Sequence, residues 1–166
     1  MPNDLSTQQN SKAAGYESAR IGMAIMRLGL GAMFLYVFFE NLNKGLYGKD
    51  GYSGLINSYV EKSHAPGFWK NIMSLMASNA AIAGPIQAVT EISFGLFLLF
   101  GLLTRPVALA AFLFLTSLWV SEWGTAWIWE LLVPMIAAFS IMVGRAGRKW
   151  GIDAMLARKY PKSPLW

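Results

Sequence analysis

Four apolar runs, each close to the length that crosses a bilayer, constrain this chain more than anything else in it. Residues 21–39 form 19 positions broken only by Arg27, and residues 80–103 form 24 broken only by Glu91. Residues 106–121 give 16 more, and residues 125–143 give 19 broken by Glu130. A hydrocarbon core needs about 20 helical residues at 1.5 Å each, so the first, second and fourth runs qualify directly. The third is short and reaches spanning length only if Thr104 or Glu122 and Trp123 extend it. Composition agrees: 55% of the 166 residues are hydrophobic and 14% are charged, well above the apolar share of ordinary soluble domains. The expected fold is all-α, an integral membrane four-helix bundle.

The runs set the domain organisation. Residues 1–19 read as a polar cytoplasmic leader, residues 20–144 as the transmembrane domain, and residues 145–166 as a basic cytoplasmic tail. Within the domain the spans cover about 21–43, 80–103, 105–122 and 125–143. Lys12, Arg20, Arg105, Arg145, Arg148, Lys149, Arg158, Lys159 and Lys162 flank one side, against Lys44, Lys49, Lys62 and Lys70 on the other. Positive charge stays on the cytoplasmic side, so both termini are expected in the cytoplasm of a prokaryotic plasma membrane. Trp69, Trp119, Trp123, Trp127 and Trp129 fall toward the outer interface, and Trp150, Tyr160 and Trp166 toward the inner one. The leader has no early apolar core, so the first span reads as an uncleaved anchor.

The loop of residues 45–79 is too long for a hairpin and too patterned for a linker. It opens with GLYGKDGYSG, which reads as turns. Apolar residues then recur at helical spacing from Leu55 to Lys62, break at His64, Ala65, Pro66 and Gly67, and resume through Phe68, Trp69, Ile72, Met73, Leu75 and Met76. This predicts one or two short interfacial helices on the outer face between spans 1 and 2. Their role is a cap over the bundle or a lid over a site that opens outward.

Zero Cys excludes disulfides, iron–sulfur clusters and thiolate metal sites, and a single His, His64, leaves no second imidazole ligand. No metal site and no intrinsic cofactor are expected, and His64 reads as a solvated loop residue. The net charge of +5 reflects topology and attraction to lipid headgroups rather than nucleic acid.

Charges at membrane depth are costly unless paired, hydrated or neutral, so the embedded ionisable residues carry the functional reading. By helical rise, Arg27 sits roughly 9 Å and Glu91 roughly 18 Å from the cytoplasmic side, which permits a contact between them without requiring one. Glu40 and Lys44 have the favourable acid-first i, i+4 order, and Glu130 lies near the outer end of the fourth span. The candidate polar pocket therefore contains Arg27, Glu40, Lys44, Gln87, Glu91 and Glu130, able to bind a quinone headgroup or an oxyanion and to relay protons through Glu91. Pro85 and Pro134 free backbone carbonyls that add acceptors or merely kink their helices. The structural alternative is that these groups, with Asn41, Asn43, Thr90 and Ser140, only fix helix rotation. The glycines of GLGAM and FGLFLLFG read as points of close helix packing.

The stretches RLGLGAMFLYVFFENLNKGL, FGLFLLFGLLTRPVALAAFLF and GRAGRKWGIDAML, with the ending ARKYPKSPLW, together resemble the DoxX/DoxD family of small four-helix membrane proteins from about Arg27 to Trp166. By this resemblance Arg27 and Lys44 match the basic positions bracketing the first helix, Arg105 the inner turn, and Gly147 and Asp153 the exit motif. Glu40, Asn41, Leu42 and Asn43 stand where many relatives carry Gly or a neutral residue. The resemblance implies two roles. One is an accessory subunit stabilising a larger respiratory or photosynthetic membrane complex. The other is the quinone-facing membrane subunit of thiosulfate:quinone oxidoreductase, which with a second subunit oxidises thiosulfate to tetrathionate and passes the electrons to bound quinone. Composition leans toward the first, and membrane lipids are partners in both. Transport is disfavoured because the halves show no inverted repeat.

Overall fold

The structure, a computed structural model, describes residues 3–166. Met1 and Pro2, the first residues of the expected leader, lie outside the described residues. Among those described, every regular element is helical: α1 Asn3–Asn43, α2 Lys49–Lys62, α3 Gly67–Ser78, α4 Ala80–Phe100, α5 Thr104–Ser121, α6 Ile128–Gly144, a 3-10 turn Ala146–Arg148, and α7 Ile152–Lys159. Helix α1 continues without a break through the polar leader into the first apolar run, a rod of 41 residues, about 60 Å long at 1.5 Å per residue.

Among the described residues three helices are long and apolar enough to cross a membrane: the Lys12–Asn43 part of α1, α4 and α5. The third run, expected to span about 105–122 once extended by Thr104 or Glu122, forms the 18-residue helix Thr104–Ser121, and at its start the N–H groups of Leu103 and Thr104 each donate to the Asp153 carboxylate at 2.8 Å. The fourth, expected to qualify from residue 125, is only 17 residues long. Thr125 N–H turns back onto the Glu122 carbonyl at 2.9 Å, Gly124 has φ +85°, and Trp127 is extended. The apolar residues before Ile128 are thus spent on a turn.

Helix α1 packs against α4 and α6, and α5 packs against α6 and α4. Leu30, Phe34, Phe94, Leu98, Leu115 and Ile141 lie in the shared core, where the Phe34, Phe94 and Phe114 rings meet edge to face or tilted. Gly31 and Gly95 let α1 and α4 approach closely: a Cβ on Gly31 would lie 2.9 Å from the Leu99 backbone nitrogen. Outward positions such as Ile82, Ile86, Val89, Val133 and Ile136 are apolar and exposed, as helices facing lipid require.

The two short helices expected in the loop are present as α2 and α3, separated at 63–66 as the sequence break indicates. The glycine-rich cluster is not all turn. Only residues 44–48 are, and α2 begins at Lys49 and carries Gly51 and Gly54 within it. Burial outweighs weak helix propensity here: Tyr52 is 1% exposed and packs with Ile56, Met73 and Ala77.

Candidate functional site

A cavity of about 370 Å³ lies between α1, α4, α5 and α6, roofed by α2. Its walls are mainly apolar, with Phe34, Val37, Leu115, Leu118 and Leu131 among them. Into this apolar space project Glu91 from α4, Glu122 from the end of α5, and Glu130 from the first turn of α6.

Glu91 is the buried member, 2% exposed. Its Oε2 accepts from the Tyr47 hydroxyl at 2.5 Å and the Asn41 amide at 3.2 Å, and its Oε1 accepts from the Gln87 amide at 2.8 Å. Gln87 precedes it by one turn on α4, Asn41 closes the last turns of α1, and Tyr47 comes from the turn after α1. Gly84 makes this possible, because a Cβ there would strike the Tyr47 carbonyl. The Tyr47 ring stacks on Phe38 at 5.6 Å. Burial first, and then the bond to Glu91, hold the Tyr47 phenol well above its ordinary pKa.

A second acid–phenol pair sits opposite. Tyr59 of α2 donates to Glu122 at 2.6 Å, and burial together with that bond raises the Tyr59 phenol likewise. Lys44 lines the chamber but is exposed, and its ammonium lies 2.7 Å from Glu40. An adjoining chamber of about 390 Å³ shares Ile56, Tyr59, Gln87, Phe114 and Leu118 with the first. The Tyr52 hydroxyl is buried at this second chamber with no partner among the described residues.

Of the six residues proposed from sequence, Lys44, Gln87, Glu91 and Glu130 line the chamber. Glu40 stands outside it as the partner of Lys44. Arg27 is elsewhere, fully buried at the opposite end, where it donates to the carbonyls of Leu98, Leu99 at 2.9 Å, Lys149 at 3.4 Å and Trp150 at 3.0 Å. The Arg27–Glu91 contact that depth permits is not made. Arg27 instead faces the C-terminal end of α4, where exposed carbonyls and the helix dipole favour a cation, and Asp153 acts on it electrostatically. Sequence reasoning missed Tyr47, Tyr59 and Glu122 as site residues. Glu122 had a signal, an acid directly after an apolar run; the two tyrosines had none apart from the fold.

Three carboxyls and one already paired ammonium thus line a chamber whose walls are otherwise mainly apolar. Fold and site together define a helical membrane protein with an internal chamber lined by carboxyl groups. The chain matches the family described as TQO small subunit DoxD over residues 23–165, and it belongs to that family. No curated protein and no solved structure matches it.

Proposed function

We propose that this chain is the quinone-facing membrane subunit of a thiosulfate:quinone oxidoreductase, with the chamber holding the quinone headgroup. The observation that carries the reading is Glu91, a buried carboxyl inside an apolar cavity, held by three neutral donors and no cation. Reducing a quinone to a quinol consumes two electrons and two protons. The electrons come from a partner subunit that joins two thiosulfates into one tetrathionate. Glu91 and Glu122, each hydrogen-bonded to a tyrosine, deliver the protons to the headgroup oxygens. Asn41 and Gln87 orient the Glu91 carboxyl, and the adjoining chamber gives the apolar tail its path. Thiosulfate itself, a dianion, is assigned to the partner, because Lys44 is the one cation on the chamber wall.

In this reading α6 completes a four-span bundle, short but bracketed by Trp127, Trp129 and the tail. Both termini face the cytoplasm of a prokaryotic cell, a topology favoured by the basic flank of residues 145–166. Helices α2 and α3 lie at the outer face as the roof of the chamber.

The test is quinone binding by the purified chain in nanodiscs, followed by thiosulfate-dependent quinone reduction once the partner is added. Binding is expected for the parent and lost in Leu118→Trp, which fills the cavity. Glu91→Gln should bind quinone yet fail to turn over. A parent that binds no quinone, or a Glu91→Gln variant with undiminished turnover, would refute the proposal and leave the accessory role.

A further inference from the structure

The whole positive excess of this chain resides in its last 22 residues. Residues 145–166 hold six basic side chains and one acid, Asp153, while the rest of the chain balances eight basic residues against eight acidic ones. Asp153 is buried, with its oxygens accepting from the N–H groups of Leu103 and Thr104 and its charge acting on Arg27.

Folding concentrates part of this excess. Arg20 of α1, Arg148 of the 3-10 turn and Arg158 of α7 line one recess of about 220 Å³, with Ala154 and Ala157 as its other walls. The arrangement is fixed from within. Arg20 donates to the Arg148 carbonyl at 3.2 Å, and Arg148 donates to a terminal main-chain oxygen of Trp166 at 2.9 Å. Glu17 forms a close ion pair with Lys149 and a longer one with Arg20 at 3.8 Å, so Arg20 is compensated only in part. Arg148 Nε is buried without a partner, and Arg158 has none, among the described residues. No carboxylate lines the recess.

Three guanidiniums gathered around one small space, only partly offset by neighbouring acids, favour an anion between them, and their forked donors match a phosphate. Position identifies its carrier. Arg20 immediately precedes the apolar run that starts at Ile21, so the recess lies where a spanning helix meets the headgroup layer. Trp150, Tyr160 and Trp166 stand on the same end of the molecule, and Trp150 is 58% exposed. We propose that the Arg20–Arg148–Arg158 recess is a binding site for the phosphodiester of an anionic phospholipid. The lipid fastens the tail to the bundle, and the site is independent of the quinone chamber.

The experiment is thermal melting and native mass spectrometry of the purified full chain with phosphatidylglycerol, with phosphatidylcholine, and with inorganic phosphate. Phosphatidylglycerol should be retained and should raise the melting temperature, with phosphatidylcholine and inorganic phosphate giving neither effect. Arg158→Gln touches no internal contact and should melt like the parent in phosphatidylcholine while losing roughly fivefold in phosphatidylglycerol retention. Ala157→Glu, which supplies the recess with its own carboxylate, should do the same. Equal protection by inorganic phosphate would overturn the lipid as carrier in favour of a free oxyanion. Equal retention of both lipids, or undiminished phosphatidylglycerol binding by both variants, would overturn the site altogether.

Discussion

The two ends of the molecule bury an ionisable side chain in opposite ways. At the tail end Arg27 is closed in: carbonyls from the end of α4 and from Lys149 and Trp150 hold its Nη1 and Nη2, and a Cβ on Gly101 would lie 2.6 Å from its Nη1. Near the roof, Glu91 is equally buried but borders open space, its oxygens held by Asn41, Tyr47 and Gln87. Both terminal nitrogens of the Arg27 cation are held by backbone, and its Nε is buried without a partner among the described residues. The Glu91 carboxyl is held by three side chains beside a cavity, the position the proposed proton transfer requires. Both residues look alike in the sequence as single charges inside apolar runs, and only the fold sets them apart.

The severest way to break the comparison is Arg27→Met. It removes the side-chain donor from the carbonyls of Leu99, Lys149 and Trp150, at about 1–3 kcal/mol for each buried acceptor left unpaired. It should lower the melting temperature in detergent more than any other variant named here. A melting temperature within roughly two degrees of the parent's would show that Arg27 locks nothing. Its counterpart, Glu91→Gln, preserves size and one acceptor and should stay within about 1 kcal/mol of the parent. Quinone reduction with the partner should nevertheless fall by about 100-fold or more. If it is the fold that fails, Glu91 belongs with Arg27 as a structural residue.

Tyr47→Phe sharpens the same point. It removes one of three donors, costs about 1 kcal/mol of stability, and shifts the pH profile of turnover while leaving the chamber intact. A profile identical to the parent's would remove Tyr47 from the proton path.

The spans were legible because apolar length is a one-dimensional property, and so was the interruption at His64–Gly67, where Pro66 forces the backbone out of the helix. The leader's helicity was hidden because a polar helix has no apolar stripe to betray it. The start of α6 was hidden because Ala126 and Trp127 are as apolar in a turn as in a span; what stops the helix is Gly124 and the His64 N–H bonded to the Trp123 carbonyl at 2.7 Å. For the site, depth could be counted but rotation could not. Arg27 and Glu91 were each placed along their helices, yet the azimuth that turns one toward Leu98 and the other toward Tyr47 is a product of packing.

A gentler probe is pH. The phenols of Tyr47 and Tyr59 titrate above the ordinary value of 10.0 in the folded chain. Unfolding lets them lose protons sooner, so their stabilisation is complete below about pH 10 and is lost as pH rises toward the folded values. Melting temperature should be insensitive to these groups up to pH 10 and decline beyond it, with a shallower decline in Tyr59→Phe. The smallest effect belongs to Lys44→Ala, whose pair with Glu40 is exposed on both sides. A change within about 0.5 kcal/mol is expected, and a larger one would mean that Lys44 supports the chamber wall.

The closure around Arg27 also gives the molecule a sidedness. Arg27 and the carbonyls it binds lie on the tail side of the Glu91 chamber, while α2 roofs its other end. The proposed proton uptake at Glu91 is therefore expected to draw on the compartment beyond α2 and α3. Any reaction seated there draws its acidity from one face of the membrane, so its yield should answer to the pH on that face alone.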